Sequence, residues 1–232
     1  SSVEEPYVVK ADGLAAGKGV LVTPDPRAAR TWVDRCLGGE FGDAGRKVLI
    51  EEYLAGPEVS VFALCDGHHA LPLQPARDYK RLKDADRGPN TGGMGCYSPV
   101  SDLPEGLVDW TISEVMHPVL QAMADGGHPY QGFLYAGLVL TARGPKVLEF
   151  NCRLGDPETQ VVLPRLESDL VEIILACLDG SAVHMQPVWS PNAAVDVVLA
   201  AGGYPEAPRK GDVISGTATA ERMPDVLVFQ TD

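Results

Sequence analysis

The sequence predicts an α+β fold in which pairs of antiparallel strands are combined with amphipathic helices. The first observation is strands that return on themselves through short glycine-containing turns, as where residues 132–142 turn at 143–145 into a strand over 146–153. The second is apolar residues at helical spacing over 25–36 and 105–124. With 232 residues, 45% of them hydrophobic, the chain is long enough to form one large domain or up to two ordinary ones.

The charge balance narrows the classes of partner. Lysine and arginine number 19 against 32 aspartates and glutamates, a net charge of −13, so we expect no binding to nucleic acid or to anionic membranes. No run of 18 apolar residues and no signal peptide are recognisable, which favours a cytoplasmic protein. The five cysteines are odd in number and never spaced as CxxC, so free thiols are expected and a zinc site is not.

The first strand pair flanks a glycine-rich loop. Strands are expected at 7–10 and 20–23, with Lys10 ending the first strand and Lys18 inside the loop over 11–19. Such a hairpin can fold over a polyphosphate, because its amides and ammonium groups point inward. It is not a P-loop, since a strand rather than a helix follows the lysine. A flexible surface hairpin is the alternative.

A helix and a second strand pair follow. The Asp-Pro pair that opens 25–36 is a typical helix start. A strand over 47–54 carries Glu51 and Glu52, and the chain turns and returns as a strand over 59–64. These acids would suit a nucleotide site facing the lysine strand. Solvated charge on a sheet edge is the alternative, and it is the commoner fate of a Glu-Glu pair.

Residues 74–99 are predicted to form a long irregular loop that contains Lys80 and the small residues around Asn90. A loop of this length inside a compact domain is usually functional or disordered. Its cations and small residues favour an ordered ligand-binding loop over a linker. The helix over 105–124 is assigned to packing only.

The strand over 146–153 carries a polar face. Glu149, Asn151 and Arg153 alternate with apolar neighbours and therefore share one side of the strand. Asp156 is expected to cap a helix that begins with proline. Oxygen ligands spaced in this way, followed by an arginine, suit a Mg²⁺-phosphate complex. The alternative is a half-exposed strand whose polar face meets water.

The remainder is predicted from helix and turn signals. Helices are expected over 158–166 and 168–178, and 187–192 is a proline-rich candidate boundary. A strand over 193–202 and short strands over 211–232 would belong to a small terminal domain.

Three segments in order resemble the phosphoribosylamine–glycine ligase family of the ATP-grasp superfamily: KADGLAAGKGV (10–20), GPNTGGMG (88–95) and LEFNCRLGDPE (148–158). The resemblance runs from about residue 7 to at least residue 204. It implies an ATP-grasp fold, with two α/β subdomains enclosing a nucleotide and part of a small β-rich domain. It also implies that ATP activates glycine as glycyl phosphate and that 5-phosphoribosylamine then displaces phosphate, giving glycinamide ribonucleotide in purine biosynthesis.

The resemblance also implies roles for individual residues, with Mg²⁺ or Mn²⁺ as the metal. The metal ligands would be Glu149 and Asn151, and Arg153, Asp156 and Lys80 would act on the transferred phosphoryl group and glycine. The nucleotide would be bound by Lys10, Gly17, Lys18, Gly19, Glu51, Glu52, Leu54, Glu58, Asn90, Gly92 and Gly93. The expected partners are small-molecule substrates, and the expected oligomeric state is a monomer.

Two departures from the family pattern stand out. Tyr79 replaces the histidine of the usual Asp-His-Lys-Arg, and the glycine-rich N-terminal domain of the family is not seen before the first motif. We therefore expect a fragment divided into a lid subdomain over 1–72, a large subdomain over 73–188 and a partial C-terminal domain over 189–232. Two alternatives remain: a catalytically incomplete Mg-ATP-binding module, or another ATP-grasp carboxylate–amine ligase.

Overall fold

The computed structural model describes residues 5–15 and 19–230 of the chain. The chain divides into two compact units, one formed by 1–57 with 140–146 and the other by 58–139 with 147–232. The division into 1–72, 73–188 and 189–232 stays a prediction. None of the helices in the described ranges is long and apolar enough to cross a membrane.

The first unit contains an antiparallel sheet packed against a helix. Strands β1 (Tyr7–Ala11), β2 (Val20–Thr23) and β3 (Val48–Glu51) lie in the order β2-β1-β3. Helix α1 (Pro26–Arg35) begins as the sequence predicts, because the Asp25 carboxylate accepts a hydrogen bond of 2.9 Å from the Arg27 amide. Strand β3 ends three residues earlier than the predicted 47–54, which leaves Leu54 beyond it.

The remaining strands are β4 (Glu58–Asp66), β5 (Ala70–Pro72), β6 (Arg77–Asp78), β7 (Arg81–Lys83), β8 (Arg87–Asn90), β9 (Gly95–Ser98), β10 (Gln131–Thr141), β11 (Gly144–Asn151) and β12 (Ala194–Val197). The main sheet has the order β11-β10-β4-β5. Its central ladder is antiparallel and runs from Gln131 opposite Asp66 to Val139 opposite Glu58. Smaller sheets have the orders β12-β9-β6 and β7-β8.

Helices of the second unit cover the main sheet. Helix α2 (Leu107–Thr111) continues through a wide turn at Ile112–Met116 into α3 (His117–Asp125), in agreement with the predicted helix over 105–124. Helices α4 (Thr159–Val162) and α5 (Leu170–Leu178) follow β11. The core lies beneath them, since β4 is buried from Val59 to Asp66. Two apolar clusters fill it, one around Phe62, Tyr135 and Val162 and one around Leu64 and Ile173.

Several predicted elements were wrong. The segment 74–99 is not irregular, because β6 to β9 pair within it. The helix over 158–166 is short, since Pro164 cannot donate a helical hydrogen bond and the chain tightens into a 3₁₀ turn at Leu163–Arg165. The strand over 193–202 shrinks to β12. Between 211 and 230 the described chain forms no ladder and carries only α6 (Thr217–Ala220).

Candidate active site

The end of β11 presents the predicted oxygen ligands side by side. The Asn151 Nδ2 atom donates to Glu149 Oε1 at 3.4 Å, so the two side chains share one face of the strand. Strand β10 has Gly137 beneath them, where a Cβ atom would lie 3.3 Å from the Glu149 Cγ atom. The absence of a side chain at this point lets the carboxylate lie close to the sheet.

Lys80 lies among carboxylates in the second unit. Its Nζ atom forms an ion pair of 2.6 Å with Glu58 Oε2. Burial opposes the charged form of Lys80, but Asp78, Glu58 and Glu149 outweigh it and hold the pKa of the ammonium above its usual value. Asp78 is only 8% exposed. Burial, together with the charges of Glu158 and Glu58, raises the pKa of Asp78 to about 6 against the opposing effect of Lys80.

The segment Asn90–Gly95 is fastened to the backbone of Lys80 by hydrogen bonds. Both the amide and the hydroxyl of Thr91 donate to the Lys80 carbonyl, at 2.7 and 2.8 Å. Gly93 has a φ of +136°, and a Cβ atom there would lie 2.4 Å from Pro157 Cδ. Only glycine fits this position, so the segment packs directly against the turn that follows β11.

The turn after β11 carries Arg153 and Asp156. Strand β11 ends at Asn151, so Arg153 lies beyond it and not on the strand predicted over 146–153. Both side chains are exposed; Arg153 donates to the Leu154 carbonyl at 2.8 Å and Asp156 accepts from the Gln160 side chain at 2.6 Å. Asp156 is not a helix cap. A cap at Asp156 would accept a hydrogen bond from the Thr159 amide, but this amide already donates to the Gly155 carbonyl. In addition, α4 begins only at Thr159.

Sequence reasoning missed a buried hydrogen-bond chain behind this turn. The Ser60 hydroxyl donates to Glu158 Oε1 at 2.9 Å and lies 2.8 Å from the Tyr135 hydroxyl. Ser60 carries the one hydroxyl in the otherwise apolar run from Val59 to Leu64. This is the sequence feature that could have indicated a buried hydrogen bond. A second missed residue is Tyr204, whose hydroxyl accepts from the Gly92 amide at 3.1 Å.

Tyr79 stands where the family resemblance leads one to expect histidine. Its side chain is 54% exposed, and its ring stacks on Tyr97 with centroids 6.2 Å apart. Its backbone amide and carbonyl bond to Gly95 and Met94, so this position helps to fasten the segment Asn90–Gly95.

The first unit holds the predicted residues of the lysine hairpin and of β3. Lys10 Nζ on β1 forms an ion pair of 2.6 Å with Glu51 Oε2 on β3. Glu52 does not join them, because its carboxylate pairs with Arg143 at 3.5 Å on an exposed surface. The Gly19 carbonyl accepts from the Ala11 amide at 2.8 Å, which closes the base of the hairpin. Gly17 and Lys18 lie outside the described residues.

The side-chain oxygens of Glu149 and Asn151 are of the kind that binds a hard cation. Glu149 and Asn151 offer a carboxylate and an amide oxygen, and Mg²⁺ typically takes one or two protein oxygens with water and phosphate completing its shell. Within the described ranges no group of three or more His, Cys, Asp or Glu side chains is arranged to hold a metal ion. All five cysteines are in the described part of the chain, and they are free thiols, as predicted.

Comparison with known proteins finds similarity to phosphoribosylamine–glycine ligases. The family model for the phosphoribosylglycinamide synthetase ATP-grasp (A) domain matches residues 1–159. The phosphoribosylamine–glycine ligase of Caulobacter vibrioides is 51% identical over 98% of this chain and 53% of its own length. That of Allochromatium vinosum is 55% identical over 98% of this chain and 54% of its own length. The chain thus spans about half the length of the curated relatives it matches.

Solved structures show the same similarity. The crystal structure of the phosphoribosylamine–glycine ligase of Thermotoga maritima has a TM-score of 0.79 and 45% identity, covering 89% of this chain and 52% of its own. A biotin carboxylase domain from Hydrogenobacter thermophilus, solved in complex with MgADP, ADP and bicarbonate, has a TM-score of 0.59 and 15% identity. It covers 84% of this chain and 41% of its own, and at that identity it bears on the fold alone.

Proposed function

The chain belongs to the phosphoribosylglycinamide synthetase ATP-grasp (A) domain family, and from this premise we propose that it carries the nucleotide and metal site of an ATP-dependent phosphoribosylamine–glycine ligase. The family resemblance and the α+β, ATP-grasp fold predicted from the sequence are both confirmed by these matches and by the antiparallel sheets. Relatives about 50% identical that bear this ligase name favour it over an ATP-grasp ligase for another acceptor.

The proposed reaction joins glycine to 5-phosphoribosylamine in two steps. The glycine carboxylate attacks the γ-phosphorus of ATP, giving glycyl phosphate and ADP. The amine then attacks the acyl carbon and expels phosphate, giving glycinamide ribonucleotide. Phosphoryl transfer of this kind needs aligned reactants and neutralised charge rather than a nucleophile from the protein.

The observation that carries the proposal is the pair Glu149 and Asn151, held at 3.4 Å in the same unit as the ammonium of Lys80. These two side chains would hold Mg²⁺ or Mn²⁺. When bound, the metal would neutralise charge on the phosphate oxygens. Lys80 and Arg153 supply positive charge from the protein, and Asp156 would orient the glycine ammonium.

The remaining nucleotide contacts are proposed from the family resemblance and from their present partners. Lys10 would exchange its ion pair with Glu51 for phosphate oxygens, and the backbone around Glu51 and Leu54 would bind adenine. Glu58 would accept hydrogen bonds from the ribose hydroxyls through one carboxylate oxygen. Its other oxygen, Oε2, already pairs with Lys80 at 2.6 Å. The roles of Gly17, Lys18, Gly19, Glu52, Asn90, Gly92 and Gly93 in binding the phosphates stay predictions.

Calorimetric titration with Mg-ATP tests the site. Replacing Glu149 with alanine is expected to weaken Mg-ATP binding by about tenfold or more and to reduce its dependence on Mg²⁺ concentration, because one of the two metal ligands is lost. The matched control is Glu114→Ala, which removes an exposed carboxylate from the helical turn Ile112–Met116. This variant should bind Mg-ATP as the wild type does. Equal Mg²⁺ dependence in wild type and Glu149→Ala would refute the metal assignment.

A second candidate is a module that binds Mg-ATP without turnover. It is favoured by one observation, that the chain spans about half of its relatives' length. Glycine- and phosphoribosylamine-dependent release of ADP separates the two: the ligase gives turnover, and the module gives binding alone. We also propose that the protein works in the cytoplasm, which is supported by its free thiols, and that it is a monomer. Gel filtration at working concentration checks the monomer.

A further inference from the structure

Glu158 is a buried carboxylate to which the reaction above gives no role. It is 4% exposed and follows directly after the turn that carries Arg153 and Asp156. A buried carboxylate is costly unless hydrogen bonds satisfy it. The partners that satisfy Glu158 therefore indicate what it holds in place.

One oxygen of Glu158 closes a hydrogen-bond chain across the main sheet. Ser60 on β4 donates its only hydroxyl proton to Glu158 Oε1 at 2.9 Å. The Tyr135 hydroxyl on β10, 2.8 Å from Ser60 Oγ, must then be the donor to Ser60. Burial and the charge of Glu158 raise the pKa of Tyr135, which keeps that proton in place. The direction of each bond is thereby fixed.

The other oxygen lies against the turn itself. A Cβ atom at Gly155 would lie 2.1 Å from Glu158 Oε2, so the turn folds closely over the carboxylate where it has no side chain. The Thr159 amide donates to the Gly155 carbonyl at 3.1 Å and completes the turn. Pro157, next to Glu158, contacts Gly93. The carboxylate thus connects two strands of the main sheet to the turn and, through Pro157, to the segment Asn90–Gly95.

We propose that Glu158 is a positioning residue of the ligase site: its carboxylate, bonded to Ser60, fixes the turn bearing Arg153 and Asp156 relative to Glu149 and Asn151 on the adjoining strand. The inference rests on the proposed function. Glu158 acts through the turn and does not touch the reacting groups. It therefore affects how well glycine and phosphate are aligned, more than how tightly ATP binds.

The test compares four proteins expressed with the complete reading frame: wild type, Glu158→Ala, Glu158→Gln and Ser60→Ala. ADP release is measured with glycine and phosphoribosylamine, and kcat and the KM for ATP are determined separately. We expect Glu158→Ala to lower kcat by about 100-fold and Ser60→Ala by about tenfold, because misplacement by about 1 Å is enough for losses of this order. The KM for ATP should change by less than about threefold.

The glutamine variant distinguishes positioning from a general loss of structure. Glutamine keeps the volume and one acceptor oxygen for Ser60, so we expect kcat within about fivefold of wild type. Ser113→Ala, which removes an exposed helix hydroxyl, is the control for serine replacement and should leave kcat unchanged. If Glu158→Ala does not fold, Ser60→Ala decides the question, since it deletes a single oxygen.

The outcomes separate the two proposals. Wild-type protein without ligation refutes the proposed function itself. If the wild type ligates and Ser60→Ala keeps the wild-type kcat, the positioning role is wrong. A glutamine variant as impaired as a folded alanine variant also overturns it, as does a loss that appears in the KM for ATP and not in kcat.

Discussion

Replacing Asp78 with asparagine is expected to change how the free energy of unfolding depends on pH. The pKa of Asp78 is raised to about 6 in the folded chain, above its ordinary value of 3.8, mainly by burial. The folded state therefore binds a proton more tightly than the unfolded state, and stability from this group falls as pH rises through the window from 3.8 to about 6. At about 1.4 kcal/mol per pKa unit, the total effect is about 3 kcal/mol.

Part of this effect can be measured under mild conditions. Between about pH 4.5 and pH 7.5 the Asp78 contribution is expected to fall by about 2 kcal/mol, because about one third of the loss has already occurred at the lower pH. Urea unfolding followed by the fluorescence of Trp110 and Trp189, which both lie in the same unit as Asp78, gives the free energy at each pH. Asp78→Asn should gain about 2 kcal/mol relative to wild type between the two pH values.

A control variant at an exposed carboxylate shows whether the pH dependence is specific to the buried Asp78. Asp109 is exposed on α2, and Asp109→Asn should differ from wild type by a small amount that is the same at both pH values. A stability difference between Asp78→Asn and wild type that does not vary with pH would refute the argument. It would mean that the Asp78 carboxylate is less desolvated in the folded chain than its 8% exposure implies.

Three further outcomes follow from packing and exposure. Gly93→Ala should destabilise the chain by about 2 kcal/mol or more, since its φ is strained for alanine and its methyl group would overlap Pro157. Gly92→Ala, whose methyl group would meet the Tyr204 hydroxyl at an ordinary contact distance of 3.6 Å, is the control in thermal unfolding. Phe62→Ala should cost about 3–5 kcal/mol in urea unfolding, as it empties a fully buried position; a loss under 1 kcal/mol would contradict the assigned core. Iodoacetamide should label the exposed Cys152 first, whereas Cys65 should stay unlabelled because burial raises its pKa to about 12. Equal labelling rates in mass spectrometry would contradict the exposure of Cys152 and the burial of Cys65.

The parts of the fold that the sequence predicts are those set by local patterns. The alternation of polar and apolar residues correctly put Glu149 and Asn151 on one face, because side chains in a strand repeat every second residue. The Asp-Pro start of α1 was also correct, since a cap depends on residues within one turn. Both cases need only the residues next to one another in the chain.

The parts that could not be predicted depend on distant segments. Ser60 and Glu158 are separated by 98 positions, and no local pattern indicates which buried hydroxyl will meet which carboxylate. The Asp156 cap failed for a related reason: the same local rule applied, but the turn closed on Gly155 instead, with Glu158 folded against it. In the segment 74–99, short strands formed because neighbouring segments offered them edges, which composition does not reveal.

Gly137 in the middle of β10 places stability and activity in competition. Its backbone has no need of glycine for conformational reasons, and glycine weakens a strand interior, so valine here would be an obvious choice for anyone wishing to strengthen the sheet. The added side chain would meet both Glu149 Cγ and the Tyr135 ring at 3.3 Å. A thermostabilised variant made in this way would lift the carboxylate from the sheet, and its higher melting temperature would come with a poorer ligand for the metal proposed above.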